Sequence, residues 1–443
     1  MMNTPWRLMT CLVMMSMLIL SGCETSAQKR AREAAAQGKV LIEFWHALFQ
    51  EHQTVIEELV AKFQEENPDI VIDPIYQGNY SQLKLNLNNA LAAGRPPQLS
   101  LMYEGWTAEF VQNGSLKPVQ DFLAEAETAP EWLDDMFEGF RQNNSTDGRL
   151  LTLPFNKSTF LLFFNVERLA AAGFSNPPQT IDELFEMANK LTERNQAGDV
   201  TFYGVGIRST LEPFTVLYFA LGGRYMAEGH GGNPVVVDTP EAREALGIIR
   251  RLALDDKTAF MDGGFMSSPF GSERVAMFWD SSAGIPFALR GAGDKFTVGT
   301  ASVPNRENGG FLSQGTNIGM FDSGTPEQQQ AAWRFLEFLM RPDNAAMWAA
   351  RTGYLPVRRA ALEEPVLATL LEESPAYRAC VEQLDRLTFE PPLSFWEQIR
   401  AELAEELEAA YRGRKSVEEA LTNAEQRSQA IIRRANQRAT SAP

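Results

Sequence analysis

The spacing of apolar residues changes period along the chain, and each change marks an element. Val40-Leu41-Ile42-Glu43-Phe44-Trp45 predicts a first strand. Val55, Ile56, Leu59, Val60 and Phe63 then recur at helical spacing. Asn67-Pro68-Asp69 stops that helix, because a residue before proline avoids helical angles. Ile70-Val71-Ile72 is β-branched and predicts a second strand. Leu83, Leu87, Ala90 and Leu91 form the apolar face of a helix after Tyr80, which Gly94-Arg95-Pro96-Pro97 ends. Leu99 to Tyr103 reads as a third strand. A β-α-β-α-β rhythm of this kind predicts an α/β fold with a largely parallel sheet.

The rhythm weakens over residues 131–148, which are polar and turn-rich. Leu150–Pro154 and Phe160–Phe164 predict two extended runs. Pro177-Pro178-Gln179-Thr180 caps a helix over Ile181–Leu191, and Val275–Trp279 predicts a strand leading into Asp280-Ser281-Ser282. From Glu397 to Arg438 the chain is rich in Ala, Glu, Leu and Arg and predicts a helical tail. No repeat of 20–50 residues is present, which argues against solenoids and propellers.

The N-terminus changes the picture. Arg7 is the sole charge before an apolar run from Leu8 to Leu20. That run is shorter than the ~20 residues of a membrane span and matches a signal-peptide core. It ends in Leu20-Ser21-Gly22-Cys23, which resembles a bacterial lipobox. The expectation is a signal peptide over 1–22, a lipid on Cys23, and a polar tether over 23–38. The protein would then be exported to the cell envelope, periplasm or cell surface, and anchored to the membrane through that lipid.

Composition narrows the chemistry. The 443 residues carry a net charge of −17, with three cysteines and three histidines. Acidity argues against nucleic acid as a partner. Cys11, Cys23 and Cys380 form no CxxC pair, so neither a disulfide scaffold nor a Cys/His metal site is expected. Phosphate-loop, zinc-protease and nucleophile-elbow motifs are missing, and no enzyme activity and no cofactor are expected. His46 and His52 read as loop-lining polar residues, His230 as part of a surface turn, and Cys380 as an idle thiol.

Several segments, in order, resemble the extracellular solute-binding proteins of bacterial ABC importers in the maltose-binding-like group. They include Ala92-Ala93-Gly94-Arg95-Pro96-Pro97, Leu162-Phe163-Phe164-Asn165, Trp333-Arg334-Phe335-Leu336-Glu337-Phe338-Leu339 and Thr352-Gly353-Tyr354-Leu355-Pro356. Within that group, Phe44-Trp45-His46, Tyr76-Gln77-Gly78-Asn79-Tyr80, Pro154-Phe155-Asn156-Lys157-Ser158-Thr159 and Gln398-Ile399-Arg400 are similar to the glycerol-phosphate-binding family.

The resemblance implies a two-lobed periplasmic-binding-protein fold of type II with a hinged ligand cleft. Lobe one would combine 39–152 with 285–345, and lobe two 153–284 with 346–443. It implies a monomeric receptor that captures sn-glycerol 3-phosphate or a glycerophosphodiester and passes it to an ABC permease; the alternative ligand is an oligosaccharide. Its ligand contacts carry over to Tyr80, Glu104, Ser158, Ser281, Gly315, Tyr354 and Arg400, with Arg400 expected to meet the phosphate. Trp45 and His46 are further candidates. The family's tryptophan pair is missing, since no tryptophan lies between Trp132 and Trp279. Arg208 and Ser209 would replace it with polar contacts, and Phe214 would restore part of the apolar wall.

Overall fold

The computed structural model describes residues 26–125, 131–226 and 235–441. The expected signal peptide, Cys11, Cys23 and His230 lie outside the described residues. Among the described residues the principal strands are β1 (Val40–His46), β2 (Ile70–Tyr76), β3 (Leu99–Met102), β4 (Leu153–Asn165), β5 (Val200–Arg208), β6 (Ala259–Asp262), β7 (Val275–Ser281), β8 (Val298–Ser302) and β9 (Phe311–Phe321). They join in the order β6-β5-β7-β4-β9-β3-β1-β2, with β8 paired beside β4.

At one end, β1 pairs parallel with β2 and β3. At the other, β5 pairs parallel with β6 and β7. The centre is antiparallel. The first half of β4 pairs with β9, and its second half with β7 and β8. The sequence suggested two extended runs there, and the chain makes one strand of 13 residues. The polar link Asn156-Lys157-Ser158-Thr159 stays extended because it is buried and paired with β9.

Two large apolar cores flank this arrangement. The first gathers Ile42, Phe44, Leu59, Phe63, Leu101, Phe110 and Phe335. The second gathers Leu162, Ile207, Phe214, Leu217, Leu246 and Leu403. The helices around the first core are α2 (Glu51–Glu66), α3 (Tyr80–Ala92), α4 (Glu104–Gln112), α8 (Pro326–Leu339) and α9 (Pro342–Thr352); α1 (Ser26–Ala36) precedes them. Trp348, Leu355, Val357 and Tyr377 also pack in the first core, although the resemblance put residues from 346 onward in the second lobe. Between these helices in chain order come α5 (Ile181–Leu191), α6 (Glu212–Ala220) and α7 (Ile285–Ala292). The tail forms α10 (Trp396–Tyr411) and α11 (Val417–Ser441), separated at Gly413, whose φ of +70° no continuous helix accepts.

The segment read as a tether is largely α1. Its Arg30 pairs with Asp73 of β2 and lies 3.8 Å from Glu43 of β1, and Ala34 is buried. Among the described residues, no helix is long and apolar enough to cross a membrane. Cys380 is buried, its Sγ donates to the Tyr377 carbonyl at 2.8 Å, and burial pushes its pKa up to about 12, so the thiol is inert.

Candidate functional site

The seven residues carried over by resemblance line a cleft with two adjoining chambers. The larger has a volume of about 870 Å³ and is lined by Tyr80, Ser158, Ser281, Gly315, Tyr354 and Arg208, among others. The smaller, about 240 Å³, is lined by Tyr80, Glu104, Gly315 and Arg400. Tyr80, Tyr103, Glu212, Gln314 and Gly315 border both chambers.

Each contact comes from the end of an element. Tyr80 opens α3, whose N-terminus is capped by Asn79 accepting from Gln82 N–H at 2.9 Å. Glu104 opens α4 directly after β3, where the strand's C-terminal end faces the cleft. Ser158 sits where β4 passes from one sheet partner to the next, and Ser281 ends β7. Tyr354 follows Gly353, the left-handed residue that ends α9.

Gly315 is imposed by geometry. Its φ is +111°, and a Cβ there would stand 1.9 Å from the Asn156 carbonyl oxygen. Only glycine lets β9 approach β4 this closely while its backbone borders both chambers.

A polar network holds the aromatic walls. Asn156 Nδ2 donates to the Tyr80 hydroxyl at 2.8 Å and to the Tyr354 hydroxyl at 3.4 Å. Thr316 Oγ1 donates to Asn156 Oδ1, fixing the amide orientation. Tyr354 stacks on Trp348 at 5.6 Å, and Tyr80 packs on Tyr103 at 5.1 Å. Burial raises the pKa of Tyr80, Tyr103 and Tyr354, so all three present neutral hydroxyls.

One charged group that the sequence did not single out, Lys157, sits behind the smaller chamber and holds its Glu104. Lys157 is 1% exposed, and its ammonium donates to Glu104 and, at 3.3 Å, to the Gly315 carbonyl. Asn317 Nδ2 adds a 3.4 Å contact to Glu104. Lys157 stands in the polar stretch Asn156-Lys157-Ser158-Thr159, so nothing local in the sequence marks it as buried beside an anion.

Arg400 was expected to meet a phosphate. Here its guanidinium donates to both oxygens of Glu390 and to Glu212 at 2.8 Å, and Glu397 lies 3.9 Å away. Burial alone would lower its pKa, but Glu390, Glu212 and Glu397 hold it above the usual arginine range. Burial raises Glu390. Burial pulls Glu212 upward as well, yet Arg400 and the hydrogen bonds it accepts leave it below its ordinary value. The donors of Arg400 are thus engaged, and the surrounding charge is net negative.

Four further expected contacts are corrected. His46 is fully buried at the end of β1 and Trp45 packs against the first core; neither lines the cleft. His46 Nδ1 accepts from Leu48 N–H at 3.2 Å, and burial lowers its pKa to about 4. Phe214 is buried in the second core, stacked on Tyr218, and supplies no cleft wall. Ser209 does not reach the cavity lining either, whereas Arg208 does. His52 lines the larger chamber instead, 5.0 Å from Tyr354, with Nε2 at 3.2 Å from the Thr352 carbonyl.

Comparison with known proteins identifies the family and the fold. The family described as bacterial extracellular solute-binding protein matches residues 58–377. The sn-glycerol-3-phosphate-binding periplasmic protein UgpB of Escherichia coli K12 is 28% identical over 429 residues, covering 90% of this chain and 94% of that protein. The crystal structure of UgpB from Mycobacterium tuberculosis in complex with glycerophosphocholine superposes with a TM-score of 0.79 at 21% identity, covering 90% of this chain and all of that one. The sugar-binding protein MalE of Xanthomonas citri superposes at 0.75 with 24% identity, covering 91% of this chain and 100% of that one. With a matching family profile over most of its length and the two-lobed maltose-binding-like fold, the chain belongs to the bacterial extracellular solute-binding proteins.

Proposed function

We propose that the chain is the solute receptor of an ABC importer and captures a glycerol phosphate ester in the cleft between its two cores. The observation that carries this reading is that all seven contacts taken from the glycerol-phosphate family border one continuous pair of chambers. The long-range similarity to the E. coli relative supports it.

The chambers divide the ligand by charge. The smaller one holds Glu104, Glu212, Glu390 and Glu397 against Lys157 and Arg400. Carboxylates accept from hydroxyls, so this chamber suits the glycerol end and repels an anion. The larger one offers Ser158, Ser281, Tyr354, the Gly315 backbone and Arg208. Glu212, Asp262 and Asp280 also line it, but Arg208 makes only a 3.8 Å contact to Asp280, and among the described residues its Nε has no hydrogen-bond partner. The guanidinium of Arg400, by contrast, is bonded to Glu390 and Glu212. Hydroxyl donors and a guanidinium suit the phosphate. The phosphate therefore sits toward Arg208, and Arg400 positions the carboxylates that receive the glycerol.

The receptor is monomeric, is lipid-anchored at Cys23, hands its ligand unchanged to the permease and needs no cofactor. Titration calorimetry against glycerol 3-phosphate, glycerophosphocholine and maltotriose tests the ligand class. Heat with a phosphate ester and none with maltotriose supports the reading. Binding of maltotriose with none of either ester replaces it with an oligosaccharide receptor, which the fold equally accommodates.

A further inference from the structure

The larger chamber extends beyond the seven contacts into a region with its own chemistry. Phe49, Phe260, Phe265 and Phe287 line it, together with Asp262 and Arg274. Phe265 is 59% exposed and Phe49 39% exposed, which is costly for large rings facing water. Phe49 and Phe287 stack at 6.0 Å with their planes 23° apart, making a flat apolar wall. Arg208 lies over the Phe265 ring at 4.6 Å, Arg274 over Phe260 at 4.3 Å, and Arg290 over Phe287 at 5.6 Å.

Ring faces next to carboxylates usually attract cations. Three of these four rings already carry a guanidinium, so a ligand cation would meet like charge there. Asp280, Arg208's carboxylate partner at 3.8 Å, is buried and already engaged. A neutral ring with one apolar face and several hydroxyls avoids that conflict. Its face would lie on the Phe49–Phe287 wall, and Asp262 and Arg274 line the same chamber as partners for its hydroxyls.

Building on the proposed glycerol phosphate ligand, we infer that this outer region is a subsite for a neutral polyhydroxylated ring. The preferred solute is then a glycerophosphodiester whose second alcohol is a cyclitol or sugar, with the phosphate at Arg208 between the two ends. Glycerol alone would leave the aromatic wall bare.

The test is titration of glycerophosphoinositol, glycerophosphocholine and glycerol 3-phosphate into wild type, Phe49→Ala and Phe287→Ala. The inositol diester should bind at least tenfold tighter than either other ester in wild type. Each variant should lose about tenfold for the inositol diester while keeping its affinity for glycerol 3-phosphate, which also reports an intact fold. Equal or tighter binding of the choline diester overturns the inference. So does an equal loss for all three esters, or no change in either variant. If glycerol 3-phosphate binds and only the ring preference fails, the proposed function survives; if no ester binds, both fall.

Discussion

At the residue scale, the site is governed by side chains that never need to touch ligand. Arg400 shows the consequence. Removing it leaves Glu212 and Glu390 buried without their cation, and breaking a buried pair costs about 3–5 kcal/mol. Arg400→Ala should therefore unfold at lower urea concentration at pH 7, not merely bind more weakly. The pH dependence carries a sign. Without the guanidinium both carboxylates have raised folded pKa values, so the folded state holds protons that the unfolded chain has released. The variant's deficit should shrink as pH falls from 7 toward 5. A deficit independent of pH would show that the carboxylates relax to water instead.

His46 and His52 act in the opposite sense. Burial lowers both to about 4 from 6.5, so each is neutral in the fold and charges in the unfolded chain. Their contribution is fully present above pH 6.5 and is lost as pH falls toward 4. A tenfold difference in proton affinity between the folded and unfolded chain is worth about 1.4 kcal/mol, so each histidine should remove about 2 kcal/mol between pH 7 and 5. The His52 ring is packed among Phe49, Phe287, Trp348 and Tyr354, so phenylalanine can occupy its place. Urea unfolding of His52→Phe should show a loss over that range smaller by about 2 kcal/mol. A slope equal to wild type would mean that His52 protonates freely in the folded protein.

At the element scale, the outer strands were readable and the centre was not. Strands β1 and β2 and helices α2 and α5 announced themselves because each buries one face at a fixed period. Strand β4 hid its middle, because Asn156, Lys157 and Thr159 look like a loop yet are almost wholly buried. Their burial depends on β9, which lies far away in sequence and whose register no local pattern encodes. The same holds for the site. Tyr80, Glu104 and Gly315 could be found from local motifs, while the ties of Glu104 to Lys157 and of Arg400 to Glu212 and Glu390 exist only after folding. The β4–β9 seam makes a sharp prediction. Gly315→Ala adds a left-handed strain of roughly 1–3 kcal/mol to a direct clash with the Asn156 carbonyl. Thermal unfolding should shift down by several degrees, and ligand affinity should fall with it, since Asn156 anchors Tyr80 and Tyr354. An unchanged melting temperature would mean that the seam opens at little cost.

At the scale of the molecule, β4 and β9 join the two halves of the sheet, so two cores share a narrow central connection. A cleft above such a connection can close by small backbone rotations within it. Closure needs a ligand that binds the closed form better, and contacts from both cores supply that difference. Glu104 and Tyr80 come from elements around the first core, and Arg208 ends a strand of the second. The net charge of −17 does not oppose an anion here, because salt screens distant charges over roughly 8 Å and leaves the nearby donors to decide. A phosphate ester held by both sides should thus contract the protein. Small-angle scattering should record a smaller radius of gyration at saturating ester. At a free concentration about 100 times the Kd, the same ligand should add about 2.7 kcal/mol to unfolding stability. Arg208→Ala separates the two effects, because it removes a contact of the second core while leaving Glu104 and Tyr80 in place. Any ester that still binds this variant should stabilise the protein less and contract it less. Full contraction with Arg208 removed would place the phosphate elsewhere in the cleft.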